Sequence, residues 1–111
     1  MIKVTYKADS HTLTLRGHAE EYGEGSKIIC AAVSAIFYNL CAMLREYPSE
    51  AFSIPFYMIE AKSVNGITTV KCEPTIGYDT WIDHDFFYAL TGFETIQGNY
   101  PNAIKVVVKQ K

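Results

Sequence analysis

Two side chains in the first third of the chain can do covalent chemistry together: the imidazole of His18 and the thiol of Cys30. The residues joining them run Gly17-His18-Ala19-Glu20-Glu21-Tyr22-Gly23-Glu24-Gly25-Ser26-Lys27-Ile28-Ile29-Cys30. This order places a histidine at the end of a strand-like run and a cysteine inside the first turns of a helix-like run. A thiol beside an imidazole becomes a nucleophile by passing its proton to the ring, and such pairs attack carbonyl carbon. Taken alone, a free cysteine is more often buried packing than a reactive group. Three features favour the reactive reading. Cys30 falls about four positions into the helix, where unpaired N–H groups and the positive dipole end favour thiolate. His18 sits across a loop short enough to keep both ends close. Gly23 and Gly25 lend that loop backbone conformations that let a peptide approach. Backbone N–H groups at the helix start are the candidates to hold an oxyanion, at roughly 3 kcal/mol per donor.

Ser34 lies one helical turn beyond Cys30 and projects on the same face. Its hydroxyl either bonds back to the carbonyl of Cys30 or orients the imidazole or substrate. Cys41 and Cys72 read as packing. His11, in a turn, and His84, between Asp83 and Asp85, read as solvated polar residues. Trp81, Phe86, Phe87, Tyr88 and Phe93 form a helical stripe suited to core or subunit contact rather than to a cofactor.

The elements that must position the pair are set by periodicity. Residues 2 to 7 alternate apolar Ile2, Val4 and Tyr6 with Lys3, Thr5 and Lys7, a half-buried strand. Thr12 to His18 is expected as a second strand, with Leu13, Leu15 and Gly17 on one face. Thr12, Thr14, Arg16 and His18 share the other. Ser26 is the expected N-cap of a helix reaching about Glu46, apolar around most of its circumference and so buried on more than one side. Pro48 and Pro55 end it and punctuate the onward connection. Tyr57 to Val64 and Ile67 to Glu73 flank Asn65-Gly66, a two-residue type I′ hairpin signal. Asp79 or Thr80 caps a second helix that carries Ile82, Phe86, Leu90 and Phe93, stopped by Gly98 and Pro101. Ile104 to Lys109 is a last, valine-rich strand. The order ββαββαβ predicts an α+β, two-layer domain with one antiparallel or mixed sheet and two helices on one face.

The 111 residues make one domain, residues 1 to 111, with 49% hydrophobic residues to fill a single core. A formal charge of −2 and the lack of a basic cluster along the chain argue against nucleic acid as a partner. No run approaches the roughly 18 apolar residues of a membrane span. The N-terminal segment alternates and has no apolar export region. Three cysteines without a CxxC pair suit neither a disulfide framework nor a zinc site, which points to a reducing cytoplasm.

At the histidine–cysteine stretch the chain resembles the ribosomal-processing cysteine proteases, the Prp family. Their pattern is Gly-His-Ala, a glycine-containing loop, then Gly-x-Asp-Ile-Val-Cys-Ala, a small residue and Ser. It is matched here by Gly17-His18-Ala19 and by Gly25-Ser26-Lys27-Ile28-Ile29-Cys30-Ala31-Ala32-Val33-Ser34. The interval from histidine to cysteine is similar, as are the element order, the chain length and the tail around Thr95-Ile96 and Tyr100-Pro101. The resemblance implies Cys30 as nucleophile, His18 as general base and Ser34 as the supporting serine. It also implies a homodimer and a mobile loop that closes over substrate, with Gly23, Gly25, Ser26 and Lys27 in the substrate-loop and oxyanion region. The implied activity is that of a cysteine endopeptidase. It removes the N-terminal extension of large-subunit ribosomal protein twenty-seven, in support of ribosome assembly, with no cofactor or metal.

One position departs from the pattern. The family's aspartate three residues before the cysteine is Lys27 here, and a lysine cannot accept a hydrogen bond. Its charge opposes the helix dipole, yet favours a nearby thiolate. Glu20, Glu21 and Glu24 are the candidates to supply the carboxylate. Two alternatives accompany the leading reading: a dimeric homologue that binds a peptide without cutting it, and a protease that acts on a phage capsid or scaffold protein.

Overall fold

The computed structural model describes residues 1–18, 25–54, 60–64 by their main chain, and 66–110. Alternating residues form β1 (Ile2–Lys7) and β2 (Thr12–Arg16), and the apolar-rich segment forms α1 (Gly25–Arg45). A 3-10 turn at Ser49–Ala51 leads on to β3 (Glu60–Val64), β4 (Ile67–Lys71), α2 (Asp79–Asn99) and β5 (Ile104–Lys109). The order is ββαββαβ, as expected. The strands make one sheet in the order β3-β4-β2-β1-β5. Every neighbouring pair is antiparallel except β1 and β5, which run parallel from Ile2↔Ile104 to Lys7↔Lys109. Parallel neighbours need a crossover, and α2 supplies it.

One face of the sheet builds the core. Val4, Tyr6, Leu13, Val70 and Ile104 meet Phe37, Leu40 and Leu44 of α1 and Ile82, Phe86, Leu90 and Phe93 of α2, all buried in one cluster. Tyr6 stacks on Phe86 with ring centroids 5.0 Å apart. Truncating a buried phenylalanine such as Phe86 removes about 3–5 kcal/mol by lost transfer energy and the cavity left behind. The helices touch closely at Gly92, where an added Cβ would lie 3.0 Å from the Ile36 side chain. Of the α2 aromatics, Phe86 and Phe93 are core, whereas Trp81, Phe87 and Tyr88 are exposed.

Several expectations need correction. α1 buries one stripe, Ile29, Val33, Phe37, Leu40, Cys41 and Leu44, rather than more than one side, and Ile28 stands 74% exposed. By length and composition α1 is long and apolar enough to cross a membrane, so the expectation that no run approaches a span is too strict. A core helix flanked by exposed apolar residues satisfies the same criterion. Ser26 lies inside α1, which begins at Gly25. Neither Asp79 nor Thr80 caps α2: Tyr78 precedes the helix, and the Asp79 carboxylate accepts the Gly77 N–H at 3.3 Å. Gly98 does not stop α2, which runs to Asn99, two residues before Pro101. The hairpin is present as β3 and β4 with Val64↔Ile67 in register and Gly66 at φ 76°. Asn65 and residues 55–59 lie outside the described residues.

Candidate active site

β2 stops two residues before the histidine, and the reason is local. Gly17 takes φ 94°, a region that residues with a Cβ rarely enter. A Cβ there would lie 2.3 Å from the Met1 carbonyl oxygen. The alternation that placed His18 on the Thr12, Thr14 and Arg16 face therefore ends at Arg16. His18 is held instead by the main chain around it. The Gly17 N–H donates to the Gly66 carbonyl at 3.1 Å, and the Met1 amine donates to the His18 carbonyl at 2.6 Å. The ring lies against the hairpin turn, since a Cβ on Gly66 would come 3.3 Å from His18 Nε2. The imidazole is exposed.

Cys30 is the sixth residue of α1. It comes after buried Ile29 and sits at the margin of the stripe, half-buried. Cα–Cβ bonds tilt toward a helix's N-terminus, so the sulfur leans back over the turn of Ser26 and Lys27. In an α-helix only the first four N–H groups lack an intrahelical acceptor. The Cys30 N–H lies beyond these, within the ladder, so the helix-start donors belong to the turn that opens at Gly25. This narrows the oxyanion candidates to the opening turn. Gly25 and Ser26 are half-buried there, and Lys27 is exposed. Ser34 is exposed one turn beyond Cys30. Among the described residues no hydrogen bond joins His18 to Cys30. Gly23, Glu20, Glu21 and Glu24, with the rest of the expected mobile loop at 19–24, lie outside the described residues.

The three cysteines are free thiols, and they differ in access. Cys41 and Cys72 are each 3% exposed. Burial pushes the Cys41 thiol up. Burial, then the charges of Asp83, Asp85 and Glu73, push Cys72 up to about 12. Neither becomes a thiolate at neutral pH. A contact absent from the sequence expectations joins His11 to Asp83, Nε2 to Oδ1 at 2.6 Å. His11 is thus no solvated turn residue but ties the β1–β2 turn to α2. The partners are 72 positions apart, so no local pattern could announce them.

No curated protein matches the sequence at a significant level. Among solved structures, the ribosomal processing protease Prp from Staphylococcus aureus in complex with a substrate peptide aligns at 16% identity. That alignment covers 97% of each chain with a TM-score of 0.69. The same protease with a covalently linked product peptide aligns at 17% identity over 97% of each chain, with a TM-score of 0.65. SMU.848 from Streptococcus mutans aligns at 18% identity, covering 99% of this chain and 93% of that one, with a TM-score of 0.69. At such identities these structures share the fold. The profile of the family described as cysteine protease Prp matches residues 1–105, nearly the whole sequence, and the chain belongs to that family.

Proposed function

We propose that the protein is a cysteine endopeptidase that removes the N-terminal extension of a ribosomal protein, with Cys30 as nucleophile and His18 as general base. The observation that carries this reading is that Cys30, the family-motif cysteine, is the one described cysteine that solvent reaches. Cys30 passes its proton to the His18 imidazole, and the thiolate attacks the scissile carbonyl carbon. Donors in the opening turn of α1 hold the oxyanion. His18 returns the proton to the departing amine, leaving a thioester on Cys30. Water, deprotonated by His18, then hydrolyses the thioester and restores the thiol. No step needs a metal or cofactor. The pair draws together as substrate binds, since catalytic hydrogen bonds often tighten only in the complex. Ser34 supports the ring or the peptide. A homodimer in the cytoplasm is the setting that goes with this reading.

Incubating the protein with the extended ribosomal protein and reading masses tests the proposal. Cys30→Ala is expected to abolish cutting, and His18→Ala to slow it by about 10²–10⁴-fold. Cutting by Cys30→Ala would end the proposal. The second reading, a peptide-binding homologue that does not cut, is favoured by exposed Lys27 where the family has an acid. Under that reading the peptide is retained with its mass unchanged.

A further inference from the structure

The face of the sheet turned away from the helices carries most of the chain's positive charge. In register, Arg16, Lys3 and Lys105 stand side by side on β2, β1 and β5. Four residues along the strands, Lys71, Thr12, Lys7 and Lys109 form a second row across β4, β2, β1 and β5. Between the rows lie Thr69, Thr14, Thr5 and Val107. The six cations Lys3, Lys7, Arg16, Lys71, Lys105 and Lys109 are all exposed, out of ten lysines and arginines in the chain. On the outer strand, Glu60 pairs in register with Lys71 and Lys62 with Thr69. Among the described residues none of the six cations makes an ion pair. The formal charge of −2 hides this arrangement because Glu46, Asp79, Asp83, Asp85 and Glu94 belong to the other layer.

The spacing suits a polyanion. Adjacent strands lie about 4.8 Å apart, and rows four residues apart are separated by about 13 Å. Like charges at such distances repel one another and oppose folding unless a counter-charge covers them. The chemistry of the face decides among polyanions. Its described residues include no aromatic ring, whereas single-stranded nucleic acid is held by stacking bases on aromatics. Among the described residues it has no large exposed apolar side chain to enter a bilayer, and its centre is a band of hydroxyls, with Thr14 and Thr69 oxygens 3.4 Å apart. A-form RNA helices are recognised through phosphates and 2′-hydroxyls.

We propose that the open face of the sheet docks on the backbone of an RNA helix, with the two cationic rows on phosphates and the threonine band on ribose hydroxyls. This reverses the sequence expectation of no nucleic-acid partner. Strand alternation spreads the cations along the chain, and only sheet pairing gathers them. The choice of RNA over other polyanions rests on the proposed action on a ribosomal protein, whose surroundings are RNA. The charge pattern stands without it.

Fluorescence anisotropy with an RNA duplex of roughly 20 base pairs, longer than the ~16 that a dedicated duplex-binding domain spans, tests the proposal. At about 50 mM salt, micromolar binding is expected, with log affinity falling against log salt at a slope of about −3 to −5. Lys3→Gln combined with Lys105→Gln is expected to lower that slope by about 2 and weaken binding at least roughly tenfold. Arg45→Gln, at the end of α1, leaves both unchanged. Circular dichroism checks that the variants fold. No binding, binding untouched by the double substitution, equal affinity for a DNA duplex of the same length, or preference for phosphatidylserine vesicles would each overturn the proposal. So would binding of a second copy of the chain in place of RNA. Cleavage of a free peptide, measured on the same proteins, keeps the two readings apart. RNA binding without cleavage removes the protease reading alone, and cleavage without RNA binding removes this one alone.

Discussion

Cys30 differs from Cys41 and Cys72 in what can reach it, and that difference can be measured without any substrate. Cys41 and Cys72 are sealed in the core, with thiols pushed up by burial. Iodoacetamide on the folded protein is therefore expected to modify Cys30 alone, and all three thiols after denaturation. Peptide mapping reads the result, and native labelling of Cys72 ahead of Cys30 would contradict the burial pattern. The cysteine and histidine are legible in the sequence because each falls where an element changes, at a strand end and a helix start. Their orientation is not. A left-handed glycine between strand and histidine resets the direction of the ring, and no alternation count carries through it.

At the scale of elements, Gly17 joins strand to site. It ends β2, lets the Met1 carbonyl approach and sends its N–H to the hairpin turn. Gly17→Ala is expected to destabilise by more than about 2 kcal/mol, because the new methyl meets backbone that cannot yield and φ is unfavourable. For a chain of this size that is a melting-temperature drop of about 10 °C or more. Thermal unfolding followed by circular dichroism checks it, and an unchanged midpoint would contradict the contact. β1 and β5 are readable to the residue, and the hairpin by its turn, because period-two alternation and the Asn-Gly pair are local signals. Helix starts shift by a residue or two and lose their expected caps, as at Ser26 and Asp79, where several polar residues compete for the same end. The His11–Asp83 tie is invisible in the sequence, since nothing near either residue implies the other.

For the whole molecule, alkaline pH is the condition to which the core responds. Cys72 loses its proton at about 12 in the native state and near 9 in an exposed chain. Between those values the unfolded chain holds fewer protons, so stability falls as pH rises from about 9. Burial raises Tyr6 and Tyr47 as well, and they act in the same sense above about 10. Melting temperatures taken from about pH 8 to pH 11 should decline, and more gently in Cys72→Ala. Parallel declines would mean that Cys72 contributes nothing. The basic face is the feature least legible in the sequence. Lys3 and Lys105 are distant in the chain and become neighbours only through the parallel pairing of β1 with β5.

That pairing also bears on synthesis. β5, which completes the sheet beside β1, is made long after it, so Ile2 and Val4 must wait for Ile104 before their ladder closes. Contacts of such long sequence separation form late. A nascent chain still holding β5 inside the ribosome exit tunnel would present an unfinished sheet, with the edge of β1 uncovered. The histidine, whose carbonyl is bound by the residue that leads into β1, would gain its settled position only once β5 had emerged and paired.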